Sequence, residues 1–324
     1  MLAAIYRRTG GSDVLSVEEI ERPEPGPGEV RVRLTVSGVN PTDWKTRAGA
    51  TGAAPEDFQV PHQDGAGAID AVGEGVDEAR VGERVWVCFA AWQRQWGTAA
   101  QWTVVPAAQA VPLPDGASDA LGASLGIPAL TAHRCLFADG PLDGRTVLVA
   151  GGAGAVGHAA VALARWGGAH VVATVSSAEK AELALGAGAH AVVNYREPDA
   201  LEQLRATAPD GVDRIVEVAL RENLQTDLAI AAPGAVITAY ADDGAGDPAI
   251  PVRQLMTANL QLRFVLVYTM GAAAIAAAVE GISQALRDGA LQTLPPHHFP
   301  LEQIAEAQDL VERGVVGKVL VDIP

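Results

Sequence analysis

Cysteine is scarce in this 324-residue chain. There are two, Cys88 and Cys135, with no C-x-x-C pair and no cluster able to build a structural zinc lobe. Isolated in this way, they are expected to be small buried apolar residues in a reducing compartment. Basic charge is short too: 23 Lys and Arg stand against 39 Asp and Glu, a formal charge of -16. Nucleic acid and anionic membrane surfaces would each attract a basic face, so neither is expected as a partner. Any anionic ligand needs a local basic pocket set against that acidic field. Long apolar runs are also missing. The N-terminal MLAAIYRRTG has no signal-peptide core followed by a small-residue cleavage site. The most apolar late stretch, residues 271–279, is far too short to span a bilayer. A cytoplasmic protein is expected.

What is present suits an α/β protein of two domains, with 49% hydrophobic and 19% charged residues. The first third reads as β-rich. Residues 30–36 alternate apolar and polar at period two, and 66–72 and 83–89 are further strands separated by glycine turns. Short strands at this spacing predict a barrel-like domain. From about residue 120 strands and helices alternate. Strands are expected near 147–150, 170–175, 191–194, 214–218, 235–239 and 263–268, with helices at 156–166, 178–185 and 198–207. Six such strands fit a doubly wound dinucleotide-binding sheet. An alanine-rich helix, a loop at 295–298, an amphipathic helix at 301–312 and a strand at 318–322 follow. That last strand has no place in the six-stranded sheet, so it is expected to return to the first domain.

The most informative segment is TVLVAGGAGAVG, residues 146–157. An apolar strand enters a glycine turn, and an alanine-rich helix leaves it. Gly152, Gly154 and Gly157 carry the G-x-G-x-x-G spacing of a pyrophosphate cradle. The first glycine is expected to make the tight turn, the second to admit phosphate, and the third to let helix pack on strand. The helix N-terminus, with Ala155 and Val156, offers free N–H groups and a positive dipole end to the anion.

An NAD site places an acidic residue about 20 positions on, at the end of the second strand. Here that place reads TVSS, residues 174–177, without a carboxylate. Ser176 and Lys180 can meet a phosphate, and Tyr195 and Arg196 close the third strand nearby. The constellation favours NADPH, unless Glu179 points inward. The competing reading has the hydroxyls cap the helix that starts near Ala178 and leaves Lys180 as an ordinary surface charge.

The residues now resemble a known family, the zinc-independent medium-chain dehydrogenases/reductases of the quinone oxidoreductase (ζ-crystallin-like) group. The likeness runs through VNPTD at 39–43, DGAG at 64–67, VGEGV at 72–76, VGERV at 81–85 and IPALTA at 127–132. It continues through the glycine turn, VNYRE at 193–197 and GVVGK at 314–318. It implies an α/β protein: a GroES-like β-barrel-type catalytic domain (1–121 and 269–324) with a Rossmann cofactor domain (122–268) inserted, and an active-site cleft between them. It places Thr131 near the nicotinamide, Ser176, Lys180 and Tyr195 at the 2′-phosphate, and Lys318 approaching NADPH from the tail. It also implies a homodimer through the cofactor domain, for which residues 249–270 are candidates; their apolar content reads equally as core.

The zinc alcohol dehydrogenases of the same superfamily have a cysteine ligand where this chain has Asn40, and a histidine where it has Gln63. An amide is a poor zinc donor, and the seven histidines form no ligand cluster, so no metal is expected. Without a Lewis acid, quinones and α,β-unsaturated carbonyls are the easier hydride acceptors. Asn40 is a candidate for a hydrogen bond to the carbonyl of a small-molecule substrate or to the nicotinamide ribose, or a turn residue before Pro41. Asp43 either orients its neighbours or caps a helix beginning at Trp44. Lys45 is a proton donor, an anion anchor or a solvated lysine, and Gln63 faces the pocket in the lost ligand's place. Trp92 and Trp96 either wall a flat substrate or serve domain packing. Residues 46–52 lack the tyrosine that related enoyl reductases often carry, which disfavours tyrosine-assisted enoyl reduction. Two other readings stay open: reduction of a CoA- or carrier-bound enoyl thioester, and a non-catalytic NADPH-binding sensor or crystallin-like protein.

Overall fold

The computed structural model describes residues 1–50, 52, 54–242 and 246–324. The chain divides into two compact units, Met1–Ile127 with Thr293–Pro324, and Pro128–Gln292.

The first unit opens with β1 (Leu2–Ile5) and β2 (Ser16–Glu19), an antiparallel pair. Next come β3 (Glu29–Gly38), α1 (Pro41–Arg47), β4 (Asp64–Val72), β5 (Arg84–Val87), β6 (Trp102–Pro106), β7 (Ala110–Pro112) and α2 (Asp119–Gly122). In β3, Val30, Val32, Leu34 and Val36 are buried while Arg33 and Thr35 face out, the alternation of a half-buried strand. Arg31 is buried out of phase, held by Glu24 and Asp70. Helix α1 begins at Pro41 rather than at Trp44, because proline fits the first helical position, where its missing N–H costs nothing.

Helix α3 (Gly126–Phe137) leads on to β8 (Thr146–Val149), α4 (Ala155–Trp166), β9 (His170–Val175), α5 (Ala178–Gly186), β10 (Ala191–Asn194) and α6 (Ala200–Thr207). The second unit continues with β11 (Val212–Glu217), α7 (Leu220–Ile230), β12 (Ala231–Ala239), α8 (Val252–Ala258), β13 (Gln261–Phe264) and α9 (Ala272–Arg287). Its sheet is parallel in the order β10-β9-β8-β11-β12-β13, the doubly wound arrangement. Central β8 is buried and apolar from Val147 to Val149 because helices cover both faces, while neighbouring β11 buries Arg214 and Glu217 beside Ile215 and Val216.

The chain then returns to the first unit as β14 (Pro296–Pro300), α10 (Ile304–Arg313) and β15 (Lys318–Asp322). β15 pairs antiparallel with β3 and parallel with β14, so the final strand does rejoin the first sheet.

Three expectations need correction. Residues 296–300 form a strand, not a loop; its prolines hid the strand signal and are tolerated because β14 is a sheet edge. The strand expected over 263–268 stops at Phe264, and a single helical turn follows at Val267–Thr269. The units divide after Ile127 and Gln292 rather than after 121 and 268. The second shift arises because α9 buries Ala278, Ile282, Ala285 and Leu286 and packs against α4 within the second unit.

Candidate functional site

The glycine turn joins β8 to α4. Its left-handed residue is Gly151, φ +67°, so the tight turn belongs to the glycine before the one expected. Gly152 serves packing instead: a Cβ there would lie 2.7 Å from the Ala173 Cβ. Gly157 is packed harder still, its imagined Cβ only 2.1 Å from the Gly151 carbonyl oxygen. Gly154 is exposed and caps α4 with extended backbone. The His158 N–H takes the Gly154 carbonyl at 2.7 Å. The N–H groups of Ala155, Val156 and Gly157 therefore precede the first in-helix bond, and with Gly154 they form a cradle that fits a pyrophosphate.

The turn is tied to the second strand. Gly152 N–H donates to the Thr174 carbonyl at 3.0 Å and Gly151 N–H to Thr174 Oγ1 at 3.3 Å. Just beyond, Lys180 Nζ donates to Ser176 Oγ at 2.9 Å, while Ser177 Oγ caps α5 through the Lys180 N–H at 3.3 Å. Ser177 thus takes the capping role, and Ser176 is paired with Lys180 instead. Tyr195 N–H donates to the Val175 carbonyl at 3.0 Å, so this half-exposed phenol sits at the same strand end. Glu179 is exposed on α5. Thr131 is buried within α3.

The carboxyl ends of β11, β12 and β13 border a cavity of about 570 Å³, lined in part by Val218, Leu220, Tyr240 and Phe264. Beneath it lies a pair of buried carboxyls that sequence reading missed. Glu217 Oε1 accepts from the Ala219 N–H and, at 3.0 Å, from Asn223 Nδ2, fixing the first turn of α7. Asp227 meets Glu217 from the same helix. Burial, and then the Glu217 charge, pushes its carboxyl up to about 9, so the pair holds a proton at neutral pH. A glutamate following Ile215 and Val216 at the end of a central strand was the available signal.

In the first unit, Asn40, Asp43, Gln63 and Lys318 are brought together in one buried network. Asn40 is the N-cap of α1, and its backbone N–H donates to Asp43 Oδ2 at 2.7 Å. Its side-chain oxygen accepts from Lys318 Nζ at 2.8 Å, and its Nδ2 donates to Asp64 Oδ2 at 2.7 Å. Lys318 also donates to the Val39 carbonyl at 2.9 Å and is 3% exposed, so its ammonium serves Asn40 rather than standing open to a ligand. Asp64 accepts from the Ile127 N–H at 2.9 Å. Burial raises the Asp64 carboxyl to about 6 against the opposing pull of Lys318, and it raises Asp43 well above the usual range. Lys318 itself is lowered by burial.

The network continues outward. Thr98 Oγ1 donates to the Asp64 carbonyl at 2.7 Å, and Ser37 Oγ lies 2.7 Å from Thr98 and 2.9 Å from His62 Nδ1. Gln308 Nε2 reaches His62 Nε2 at 3.1 Å, and an amide nitrogen only donates, so His62 carries its proton on Nδ1. Burial lowers the His62 imidazole to about 3 and keeps it neutral. Arg47 Nε closes the chain on Gln308 Oε1 at 2.7 Å.

Gln63 also lines a cavity of about 780 Å³ with Tyr6, Thr46, Phe58 and Trp92. Among the described residues its buried Oε1 has no hydrogen-bond partner, and neither has Asp43 Oδ1. Trp96 packs edge-on against Phe58 at 5.6 Å, so the two tryptophans divide: Trp92 at the cavity, Trp96 in packing. Lys45 is half-buried on α1, its ammonium 5.8 Å from the centre of the Trp44 ring. Both cysteines are buried, and burial raises both thiols, Cys135 to about 12.

Zinc does not suit this donor set. Asn40 Oδ1 already faces an ammonium, Gln63 offers an amide, and among the described residues no group of three His, Cys, Asp or Glu could hold a metal.

Residues 26–115 match the alcohol dehydrogenase GroES-like domain, and residues 155–284 match the zinc-binding dehydrogenase domain. A quinone oxidoreductase of Rattus norvegicus is 30% identical over 316 residues, covering 96% of this chain and 94% of its own. A solved NAD-dependent alcohol dehydrogenase superposes with a TM-score of 0.88 at 29% identity, over 100% of both chains. A mycobacterial structure complexed with NADPH gives a TM-score of 0.84 at 29% identity, over 99% of this chain and 100% of the other. The two units are thus a GroES-like domain and a Rossmann-like parallel sheet.

Proposed function

We propose, from the premise that this chain belongs to the quinone oxidoreductase group of the medium-chain dehydrogenase/reductase family, that it is an NADPH-dependent reductase of quinones or α,β-unsaturated carbonyls working without zinc. Membership makes it an oxidoreductase of a nicotinamide-dinucleotide-binding family. The observation that carries the finer reading is the Lys180–Ser176 pair at the end of β9, where an NAD site would need a carboxylate.

When bound, the dinucleotide supplies hydride to the acceptor. Gly154 and the first turn of α4 hold its pyrophosphate, while Lys180, Ser176 and Tyr195 hold the 2′-phosphate. Lys318 and Asp64 grip the two ends of the Asn40 amide and fix its orientation. One Nδ2 proton goes to Asp64; the second is left to donate to an acceptor oxygen. Lys318 is therefore a positioning residue. A quinone or enone needs no metal here, because each already accepts hydride when hydrogen bonds stabilise the developing oxyanion. The test is NADPH oxidation against ortho- and para-quinones and simple enones, in parallel with NADH. No turnover with any acceptor would sink the proposal.

A CoA thioester fits less well. Its phosphates need basic groups, whereas Glu56 and Asp57 are exposed at the 780 Å³ cavity and Arg94 there is ion-paired to Glu29 at 2.6 Å. Turnover of crotonyl-CoA would reverse that preference. The exposed Val252, Met256, Phe264 and Leu266, on α8 and around the edge strand β13, support a homodimer through the second unit. A solution mass of 33.4 kDa, that of one chain, would contradict it.

A further inference from the structure

We propose that the buried Glu217–Asp227 pair positions the wall of the cavity that takes the nicotinamide half of the dinucleotide, and couples binding there to a proton shared by the two carboxyls. The role rests on the dinucleotide reading above, and every part of it lies within the second unit. Val218, the residue after Glu217, joins the glycine turn to the 570 Å³ cavity. It lines that cavity, and its Cγ1 stands 3.4 Å from where a Cβ on Gly151 would be. β8 and β11 are neighbours in the sheet, and the Ala150 N–H donates to the Val216 carbonyl at 2.9 Å. Lys180 and Ser176, at the end of β9, lie to the other side of β8. A dinucleotide with its pyrophosphate on the turn and its adenosine toward β9 therefore has its remaining half directed at the ends of β11, β12 and β13.

The pair holds that wall in place. Glu217 ends β11 and Asp227 lies two turns into α7, and both are fully buried. Glu217 Oε1 takes the Ala219 N–H and Asn223 Nδ2, so it clamps the junction at Val218, Ala219 and Leu220, all of which line the cavity. Among the described residues no N–H or hydroxyl reaches the buried Glu217 Oε2 or Asp227 Oδ2, yet the two side chains bond to each other. Two carboxylates bring no hydrogen between them, so that bond requires one carboxyl to keep its proton. Asp227 keeps it, because burial and then the Glu217 charge raise it to about 9. The neighbouring titratable groups are neutral there. Burial raises the Tyr240 phenol at the end of β12, and it raises the Cys135 thiol of α3 to about 12. The charged groups lining the cavity, Arg221, Glu222, Asp242 and Asp247, are exposed and screened by solvent. Once the proton leaves, two buried charges face one another. Glu217 then turns from Asp227, its hold on Ala219 and Asn223 is lost, and the wall loosens.

The test is a pair of titrations between pH 7.5 and 9.5, one with NADPH and one with 2′,5′-ADP, which carries the 2′-phosphate but no nicotinamide. At pH 9.5 a group titrating at about 9 keeps its proton in roughly a quarter of the molecules, so wild-type NADPH affinity should fall about fourfold. Affinity for 2′,5′-ADP should hold within about 1.5-fold, because the Lys180 end does not depend on the pair. Asp227→Asn offers Glu217 an N–H at every pH. Its NADPH affinity should match wild type within about twofold at pH 7.5 and stay level to pH 9.5. Glu217→Gln, which donates to Asp227 instead, should also be level and decides the matter if Asp227→Asn does not fold. A wild type whose NADPH affinity ignores pH, a slope kept in the variants, or equal losses of NADPH and 2′,5′-ADP would each overturn the proposal. A wild type that binds no nicotinamide dinucleotide at pH 7.5 overturns the functional reading itself, and this role with it.

Discussion

Replacing Gly154 and Gly157 separately by alanine should divide what the glycine turn does for the ligand from what it does for the fold. At Gly157 the new Cβ would lie 2.1 Å from the Gly151 oxygen, 2.8 Å from its carbonyl carbon and 3.0 Å from the Gly152 Cα. All three are backbone atoms. Restoring an ordinary 3.4 Å contact requires α4 to lift off the turn by about 1.3 Å, the difference from 2.1 Å. Overpacking of this kind against backbone atoms costs a net of roughly 1–3 kcal/mol. At roughly 2–4 °C per kcal/mol, Gly157→Ala should lower Tm by about 2–12 °C and weaken dinucleotide binding as well. At Gly154 the nearest atom is 3.4 Å away and φ is -75°, which alanine accepts, so the loss of an N-cap glycine should cost under about 1 kcal/mol. The methyl would nevertheless stand on the exposed face of the cradle. Fluorescence titration should show tenfold or greater weakening, about 1.4 kcal/mol, equally for NADPH and NADH because both carry the pyrophosphate. Wild-type affinity in Gly154→Ala would refute the phosphate cradle. An unchanged Tm in Gly157→Ala would refute the close packing.

Lys318→Met should leave Asp64 and Asp43 buried without their cation and cost roughly 3–5 kcal/mol near pH 8. Asp64 is raised in the folded state, so its favourable contribution is complete below the ordinary carboxylate range and lost as pH rises through about 6. The variant's deficit should therefore shrink near pH 5, where Asp64 is protonated, and Asp64→Asn should relieve it; a deficit independent of pH in urea unfolding would contradict this. Asp227, raised to about 9 by burial and Glu217, follows the same sign: stability falls with rising pH, by at most about 1.4 kcal/mol per unit, until it ionises. Asp227→Asn keeps an uncharged partner for Glu217 and should flatten that slope between pH 6 and 9. Parallel slopes in the two proteins would mean that the proton is not held there.

Much of the second unit was legible because its signals are local. Strand periodicity, the glycine spacing and the missing carboxylate after β9 each occupy a short window, and β9 and β10 begin and end where expected, as does β15 in the first unit. What stayed hidden depends on distance along the chain or on competing chemistry. Prolines at both ends of β14 mimic a loop and are resolved only by its edge position. Gly151, not Gly152, takes the left-handed turn, a choice the spacing rule alone does not reveal. Lys318 was expected to face a ligand, but its Nζ lies in the core against groups from residues 39 and 40. A lysine opening an apolar strand, like the glutamate ending β11, reads as surface until a buried partner is found. Tyr6 and Gln63 share a cavity through the pairing of residues 6 and 59, which no short motif encodes.

The most direct measurement of the central claim is the affinity of wild type and Lys180→Ala for NADPH and NADH, taken by titration at one ionic strength. Lys180 Nζ and Ser176 Oγ stand 2.9 Å apart at the end of β9, the place to which the NADPH proposal assigns the 2′-phosphate. A charge-assisted bond of roughly 1.5–3 kcal/mol should therefore vanish for NADPH alone. Wild type should prefer NADPH, and Lys180→Ala should lose about 10- to 100-fold in NADPH affinity with NADH within about twofold. Equal losses for the two dinucleotides, or a wild type that prefers NADH, would contradict the assignment.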